Sequence, residues 1–197
     1  MNNLFTSDWH LGHLSMQKGI RGKVFKTLED HDNTILQNIF DTVKPGDNLY
    51  FLGDAFWKKS SKEVEKIMTD FKKHKINIFW AIGNHDKYSW TKYNCVQWAG
   101  EIKDIVIEKQ PITLCHYPMY VWKNSHYGAW NLHGHIHKED NTYKLVKNYE
   151  LMKGAFFRGQ ILNLNVEFWD YKPLTFEHIR ETMKYRPENW DLIRKEN

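Results

Sequence analysis

TSDWHLGH, residues Thr6–His13, follows the apolar pair Leu4 and Phe5 and packs one aspartate and two histidines into a short stretch where a first β-strand should end. What these side chains do depends on what other strand ends bring to meet them. NLYFLGD (Asn48–Asp54) and INIFWAIGN (Ile76–Asn84) read as second and third strands, and each of the three runs closes in an acidic or amide residue: TSDWH, LGDAF, IGNHD. In open α/β sheets the crevice beyond the carboxyl ends of the strands binds ligands, so Asp8, His10, Asp54, Asn84 and His85 are expected to converge. LCHYP adds His116 by the same route, and LHGHIH adds His135 and His137.

Between these runs the hydrophobic period changes to that of helices. Thr27–Val43 carries Ile35, Ile39 and Phe40 on one face, with Thr27 and Asp30 in an N-cap arrangement and Pro45-Gly46 as the stop. Ser60–His74 carries Val64, Ile67, Met68 and Phe71. Further strands are expected at Ile102–Gln110, Pro111–Tyr117, Ala129–His135 and Gln160–Phe168, and a last helix over Phe176–Lys184. Alternating strands and helices indicate an α/β fold. No repeat or linker divides the chain, so residues 1–197 are expected to form one domain. Lys138–Arg158, the least patterned stretch, is expected to be a surface insertion or a loop near the site.

Composition narrows the function classes. The chain has two cysteines, Cys95 and Cys115, with no metal-binding pair spacing, and both are expected to be core filler in a reducing cytoplasm. It begins without the basic and apolar regions of a signal peptide, and its apolar runs are too short to span a bilayer, so no membrane association is expected. A net charge of +4 tolerates an anionic substrate without marking a dedicated nucleic-acid binder. Aromatic residues make up 15 % of the chain, most of them expected in the core, with exposed ones available to stack on bases.

Carboxylate, imidazole and amide oxygen together suit Mn²⁺, Zn²⁺, Fe²⁺ or Ni²⁺, whereas the missing thiolates argue against a structural zinc site. His135 and His137, two apart on a strand, would share a face, and Gly134 would let the backbone turn. The candidates outnumber what one ion needs. They suffice for two ions about 3.5–4 Å apart sharing a carboxylate, the arrangement used for in-line attack on phosphorus.

The ordered set DWH, GDAF, GNHD, CH and GHIH resembles the motifs of the calcineurin-like metallophosphoesterase superfamily, and the tail LNLNVEFWDYKPLTFEHI resembles its small bacterial and phage members. The resemblance implies a β-sandwich of mixed sheets flanked by helices, and a phosphoesterase with two divalent ions, Mn²⁺ first among them, whose bridging hydroxide attacks phosphorus. Carried across residue by residue, it implies that Asp8, His10 and His137 hold one ion, that Asn84, His116 and His135 hold the other, and that Asp54 bridges them. His85 is implied to bind a phosphoryl oxygen or protonate the leaving group. His13 lies outside that set and is either a loop residue or a substrate contact. Asp86 is expected to orient its neighbours, and Arg21 and Lys23 to reach a phosphate or lie in a solvated loop.

The chain departs from the Ser/Thr protein phosphatases of that superfamily. Their second motif continues to an aspartate and an arginine, where this chain reads GDAFWKK, with Trp57 at the place of the carboxylate that partners the proton-donating histidine. Protein phosphatase activity is therefore not expected. A small phosphorylated molecule, a nucleotide or phosphodiester, is the first expectation for substrate. The alternatives are an SbcD-like nuclease acting on DNA or RNA, which TSDWHLG also resembles, and a non-catalytic binding scaffold.

Overall fold

Alternation along the strands sets the layers of the molecule. In the computed structural model, which describes residues 1–137 and 159–193, β1 (Asn3–Thr6), β2 (Asn48–Phe51) and β3 (Asn77–Ala81) run parallel. Leu4, Leu49, Phe51, Ile78 and Trp80 enter one apolar cluster, and Phe5, Tyr50, Leu52 and Ala81 enter another. Successive side chains leave a strand on opposite faces, so a run apolar at every position must be covered on both sides.

β4 (Val96–Gly100) pairs parallel to β3. A second sheet follows from β5 (Ile102–Ile107), β6 (Gln110–Cys115), β7 (Trp130–His133) and β8 (Ile161–Asn163), in that spatial order, with β5 antiparallel to β6 and the others parallel. β9 (Leu174–Thr175) lies antiparallel to β1, giving the first sheet the order β4-β3-β2-β1-β9.

Among the described residues four α-helices flank the strands: α1 (Leu14–Lys18), α2 (Leu28–Thr42), α3 (Ser61–Lys73) and α4 (Phe176–Met183). α2 starts where Thr27 accepts the N–H of Asp30, and α3 at a reciprocal Ser60–Glu63 capping box. Ile35 and Ile39 of α2, with Val64, Met68 and Phe71 of α3, are buried against the outer face of the first sheet. Each such side chain contributes about 1.5–3 kcal/mol by leaving water. The inner cluster joins the two sheets through Ile112, Leu114, Trp130 and Leu132, and α4 adds Phe176, Ile179 and Met183. The architecture is the sandwich of mixed sheets with flanking helices that the resemblance implies.

Several strands end earlier than expected. β1 ends at Thr6 rather than Asp8, and the strand expected over Gln160–Phe168 stops at Asn163. There Asn165 caps a 3₁₀ turn, Val166–Phe168, by accepting the N–H of Glu167. α1 and β4 form in stretches too short to show a period. Lys138–Arg158 lies outside the described residues. Among the described residues no helix is long and apolar enough to cross a membrane.

Candidate metal centre

The register Thr6↔Phe51↔Trp80 sets the three strand ends level, and the loops beyond them are then tied together by backbone. Asp8 donates its N–H to Gly53 (2.8 Å) and His10 to Asp54 (2.9 Å). The second sheet repeats the device, with Leu114 level with Leu132 and the Gly134 N–H bonded to His116 (2.9 Å). Asp8, His10, Asp54 and His135 all adopt positive φ, between 49° and 70°. For a non-glycine residue that region costs about 1 kcal/mol or more, and such strain gathers at functional sites.

Asp86 holds the strained Asp54 turn. Its carboxylate accepts N–H groups from Asp54, Ala55 and Gly83 and the indole N–H of Trp80, each at 2.9 Å. Burial raises this carboxyl above the usual carboxylate range, and the donors offset that only in part. Two glycines let carboxylates approach: a Cβ on Gly83 would sit 2.3 Å from Asp54 Oδ1, and one on Gly134 would sit 2.3 Å from Asp8 Oδ2. Gly134 therefore makes room for Asp8 at the point where the chain turns beyond β7, its carbonyl accepting the Ile136 N–H (2.9 Å).

The donor atoms fall into two sets. His10 Nε2 lies 3.1 Å from His137 Nε2, which lies 3.4 Å from Asp8 Oδ1. On the other side Asn84 Oδ1 lies 3.0 Å from His116 Nε2 and 3.1 Å from His135 Nδ1. Asp54 Oδ2 faces both sets, 3.5 Å from His10 Nε2 and 3.5 Å from His116 Nε2. Donors bonded to one ion at about 2.0–2.2 Å stand roughly 3.0–3.5 Å from each other, so the spacing fits divalent ions. By proximity alone Asp8, His10 and His137 form one candidate group and Asp8, Asp54 and His116 another. His135 and His137 do not share a strand face as expected, because β7 ends at His133 and the two rings enter opposite sets from the loop beyond.

Electrostatics follow from burial and from these contacts. Burial raises the Asp8 carboxyl, but hydrogen bonding to His137 and the charges of His116, His137 and His10 hold it well below the usual carboxylate range. Burial pushes His10 down to about 3. His137 rises to about 9 because, against its burial, it bonds to Asp8 and to Glu167. Burial raises Asp54 and lowers His116, yet their mutual contact prevails in both, leaving the carboxyl lowered and the imidazole raised.

Sequence reasoning missed two residues behind the first set. Arg21, fully buried, donates from Nη2 to the Asp8 carbonyl (2.6 Å), from Nη1 to the Trp9 carbonyl (2.8 Å) and to His31 Nε2 (2.7 Å), and from Nε to Glu167 Oε1 (2.7 Å). It neither lies in a solvated loop nor reaches toward a phosphate, which corrects the expectation. Lys23 is exposed. Glu167 Oε1 also accepts from His137 Nδ1 (3.0 Å).

The rim is aromatic. His13 stands outside the donor sets, its ring stacked on Trp57 with centroids 4.1 Å apart. Trp57 meets the His85 ring edge-on at 4.7 Å. The His85 N–H bonds Asp54 Oδ1 (2.9 Å), its Nε2 lies 4.0 Å from Asp54 Oδ2, and its side chain is 34 % exposed. Tyr117, also exposed, packs edge-on against His135 at 4.8 Å.

Comparison with known proteins places the chain. A family model described as calcineurin-like phosphoesterase matches residues 1–192. An uncharacterized protein of Methanocaldococcus jannaschii, MJ1445, is 24 % identical over 174 residues, covering 88 % of this chain and 86 % of the relative. A protein of unknown function from Aquifex aeolicus, AQ665, superposes with a TM-score of 0.68 at 25 % identity, covering 92 % of this chain and 98 % of that one.

Proposed function

This chain belongs to the calcineurin-like phosphoesterase family and so is a metal-dependent phosphoric ester hydrolase, and we propose that it acts on a small phosphorylated molecule, a nucleotide or phosphodiester. One observation carries the reading: donor atoms from five separated loops converge 3.0–3.5 Å apart around a carboxylate oxygen facing both sets. On this reading Asp8, His10 and His137 would hold one ion, Asn84, His116 and His135 a second, and Asp54 would touch both. When bound, such ions polarise the phosphoryl group and lower the pKa of the attacking water. Mn²⁺ is the proposed metal, since imidazole, carboxylate and amide oxygen form a borderline donor set.

The remaining chemistry belongs to the side chains. His85, anchored by its own N–H to Asp54 and held in place by the edge of Trp57, stands at the exposed margin of the cluster. From there it would deliver a proton to the departing oxygen. Tyr117 on one margin and the Trp57–His13 stack on the other offer flat surfaces suited to a nucleoside. Both cysteines are free and buried, which suits a reducing compartment, and we place the protein in the cytoplasm as one functional unit over residues 1–197.

The test is turnover by the full chain, stripped of metal and reloaded with Mn²⁺. The panel comprises an aryl phosphomonoester, an aryl phosphodiester, 2′,3′- and 3′,5′-cyclic nucleotides, and single- and double-stranded oligonucleotides. Mn²⁺-dependent turnover of the nucleotide-like diesters is expected. Cleavage of oligonucleotides alone, with tight binding that weakens steeply as salt rises, would replace this reading with a nuclease. Failure to take up any divalent ion would leave a binding scaffold.

A further inference from the structure

Behind the first donor set lies a buried ion pair that the proposed chemistry does not use. Glu167 sits past the end of β8, far in sequence from Asp8 and His10, and its side chain is 6 % exposed. Oε1 accepts two donors, Arg21 Nε at 2.7 Å and His137 Nδ1 at 3.0 Å. The other oxygen, Oε2, is buried with no hydrogen-bond partner among the described residues. All the polar work of the carboxylate thus falls on the atom that faces Arg21 and His137.

An imidazole binds a metal through a bare nitrogen, and the bond made by its other nitrogen decides which one is bare. Two neighbours compete for His137 Nδ1. Asn165 Nδ2 lies 2.9 Å away, and as a donor it would demand a bare Nδ1, leaving the proton on Nε2 toward His10. Glu167 can only accept, so it demands the proton on Nδ1 and leaves Nε2 bare, 3.1 Å from His10 Nε2. Asn165 Nδ2 has another acceptor, the Ile136 carbonyl at 3.2 Å, so it gives way without losing its bond. Glu167 has no comparable escape, because Arg21 fixes the same oxygen, and Arg21 is itself fixed by the Asp8 and Trp9 carbonyls.

We propose that Glu167 is a positioning residue which, clamped by Arg21, holds His137 with Nε2 bare toward the first metal set. Arg21 bonds to Asp8 and to Glu167 together, so one guanidinium keeps the carboxylate ligand from beyond β1 and the histidine ligand from beyond β7 in register across the two sheets. The inference rests on the reading of His137 as a ligand.

The test is a mutant cycle read by metal binding. The full chain is stripped with chelator and titrated with Mn²⁺ by calorimetry, in wild type, Glu167→Gln, His137→Ala and the double variant. Glu167→Gln should weaken binding of the tighter ion about 10- to 100-fold, the usual span for an outer partner of a metal-binding histidine. In the His137→Ala background the same change should cost less than about two-fold, because the residue acts through that ring. Equal losses in both backgrounds would show that Glu167 serves the fold through Arg21, and no loss in wild type would also overturn the proposal. If His137→Ala itself leaves binding unchanged, the ligand reading has failed and the proposal falls with it. Should Glu167→Gln not fold, Glu167→Asp keeps the charge opposite Arg21 while withdrawing the oxygen from His137, and the same cycle and criteria apply.

Discussion

The two halves of the cleft are built differently. Around Asp8, His10 and His137 the donors are sunk in the protein and braced from behind by Arg21, Glu167 and the Ser7 hydroxyl, which bonds Asp8 Oδ2 at 2.5 Å. Around Asn84, His116 and His135 the histidine just beyond β6 is buried and donates to the Leu52 carbonyl (2.7 Å), but Asn84 and His135 are exposed. One half is assembled by the fold, and the other is closed by side chains that water can reach. Preorganisation lowers the ordering cost of binding, so the braced half should hold its ion more tightly, and the open half is where substrate has room to enter.

The largest expected effect tests the joint between the halves. Asp54→Asn should reduce turnover on the order of a thousand-fold, the upper end for loss of one preorganised electrostatic group, and excess Mn²⁺ should not restore it. Two ions bound with turnover near wild type would move the joint to Asp8, which by proximity belongs to both groups.

Next comes His85, which stands at the solvent margin of the joint, its Nε2 4.0 Å from Asp54 Oδ2 and its ring 5.5 Å from that of His10. His85→Ala should lower turnover on the order of a hundred-fold where the leaving group is a ribose or alkyl alkoxide, and clearly less for a nitrophenyl ester, with metal content retained. Equal losses on the two leaving groups would assign His85 instead to charge on the phosphoryl oxygens.

The contrast itself is read by stepwise Mn²⁺ titration of stripped protein. Two affinities about ten-fold apart, or about 1.4 kcal/mol, are expected, with His135→Ala selectively weakening the weaker step and His137→Ala selectively weakening the tighter. A single affinity would erase the distinction.

The smallest expected change comes from pH. In the metal-free protein His137 is raised from 6.5 to about 9, so the stability it contributes is complete below 6.5 and lost as pH rises through about 9. Its proton must leave before Nε2 can bind. The tighter step should therefore strengthen with pH, by no more than ten-fold per unit for one proton, and level off near 9. Calorimetry in buffers of different ionisation enthalpy counts the released proton. Affinity independent of pH between 7 and 8 would remove His137 from the braced half.

Much of this was legible because chemistry and strand ends coincide. Asp8, Asp54, Asn84 and His116 each follow a strand whose apolar run is plain, so their convergence follows from the parallel pairing of those strands. Arg21 and Glu167 were not legible. They stand 146 residues apart, and an arginine in a glycine-flanked loop looks the same in sequence whether it is fully buried or solvated. The only local hint was LNVEF, where Asn165 cuts a strand short and swings Glu167 inward. The loop path of His135 and His137 was hidden for a related reason. Period-two reasoning assumes the strand continues, and the left-handed turn at His135 depends on room that only the contact of Gly134 with Asp8 reveals.

Because the braced half takes Asp8 and His10 from the first sheet and His137 from beyond the second, whatever occupies it fastens one sheet to the other. Occupancy and folding are then a single equilibrium: a ligand at a hundred times its dissociation constant adds about 2.7 kcal/mol to the free energy of unfolding. For a cell this makes the supply of metal a control on how long the protein survives, as well as on how fast it works.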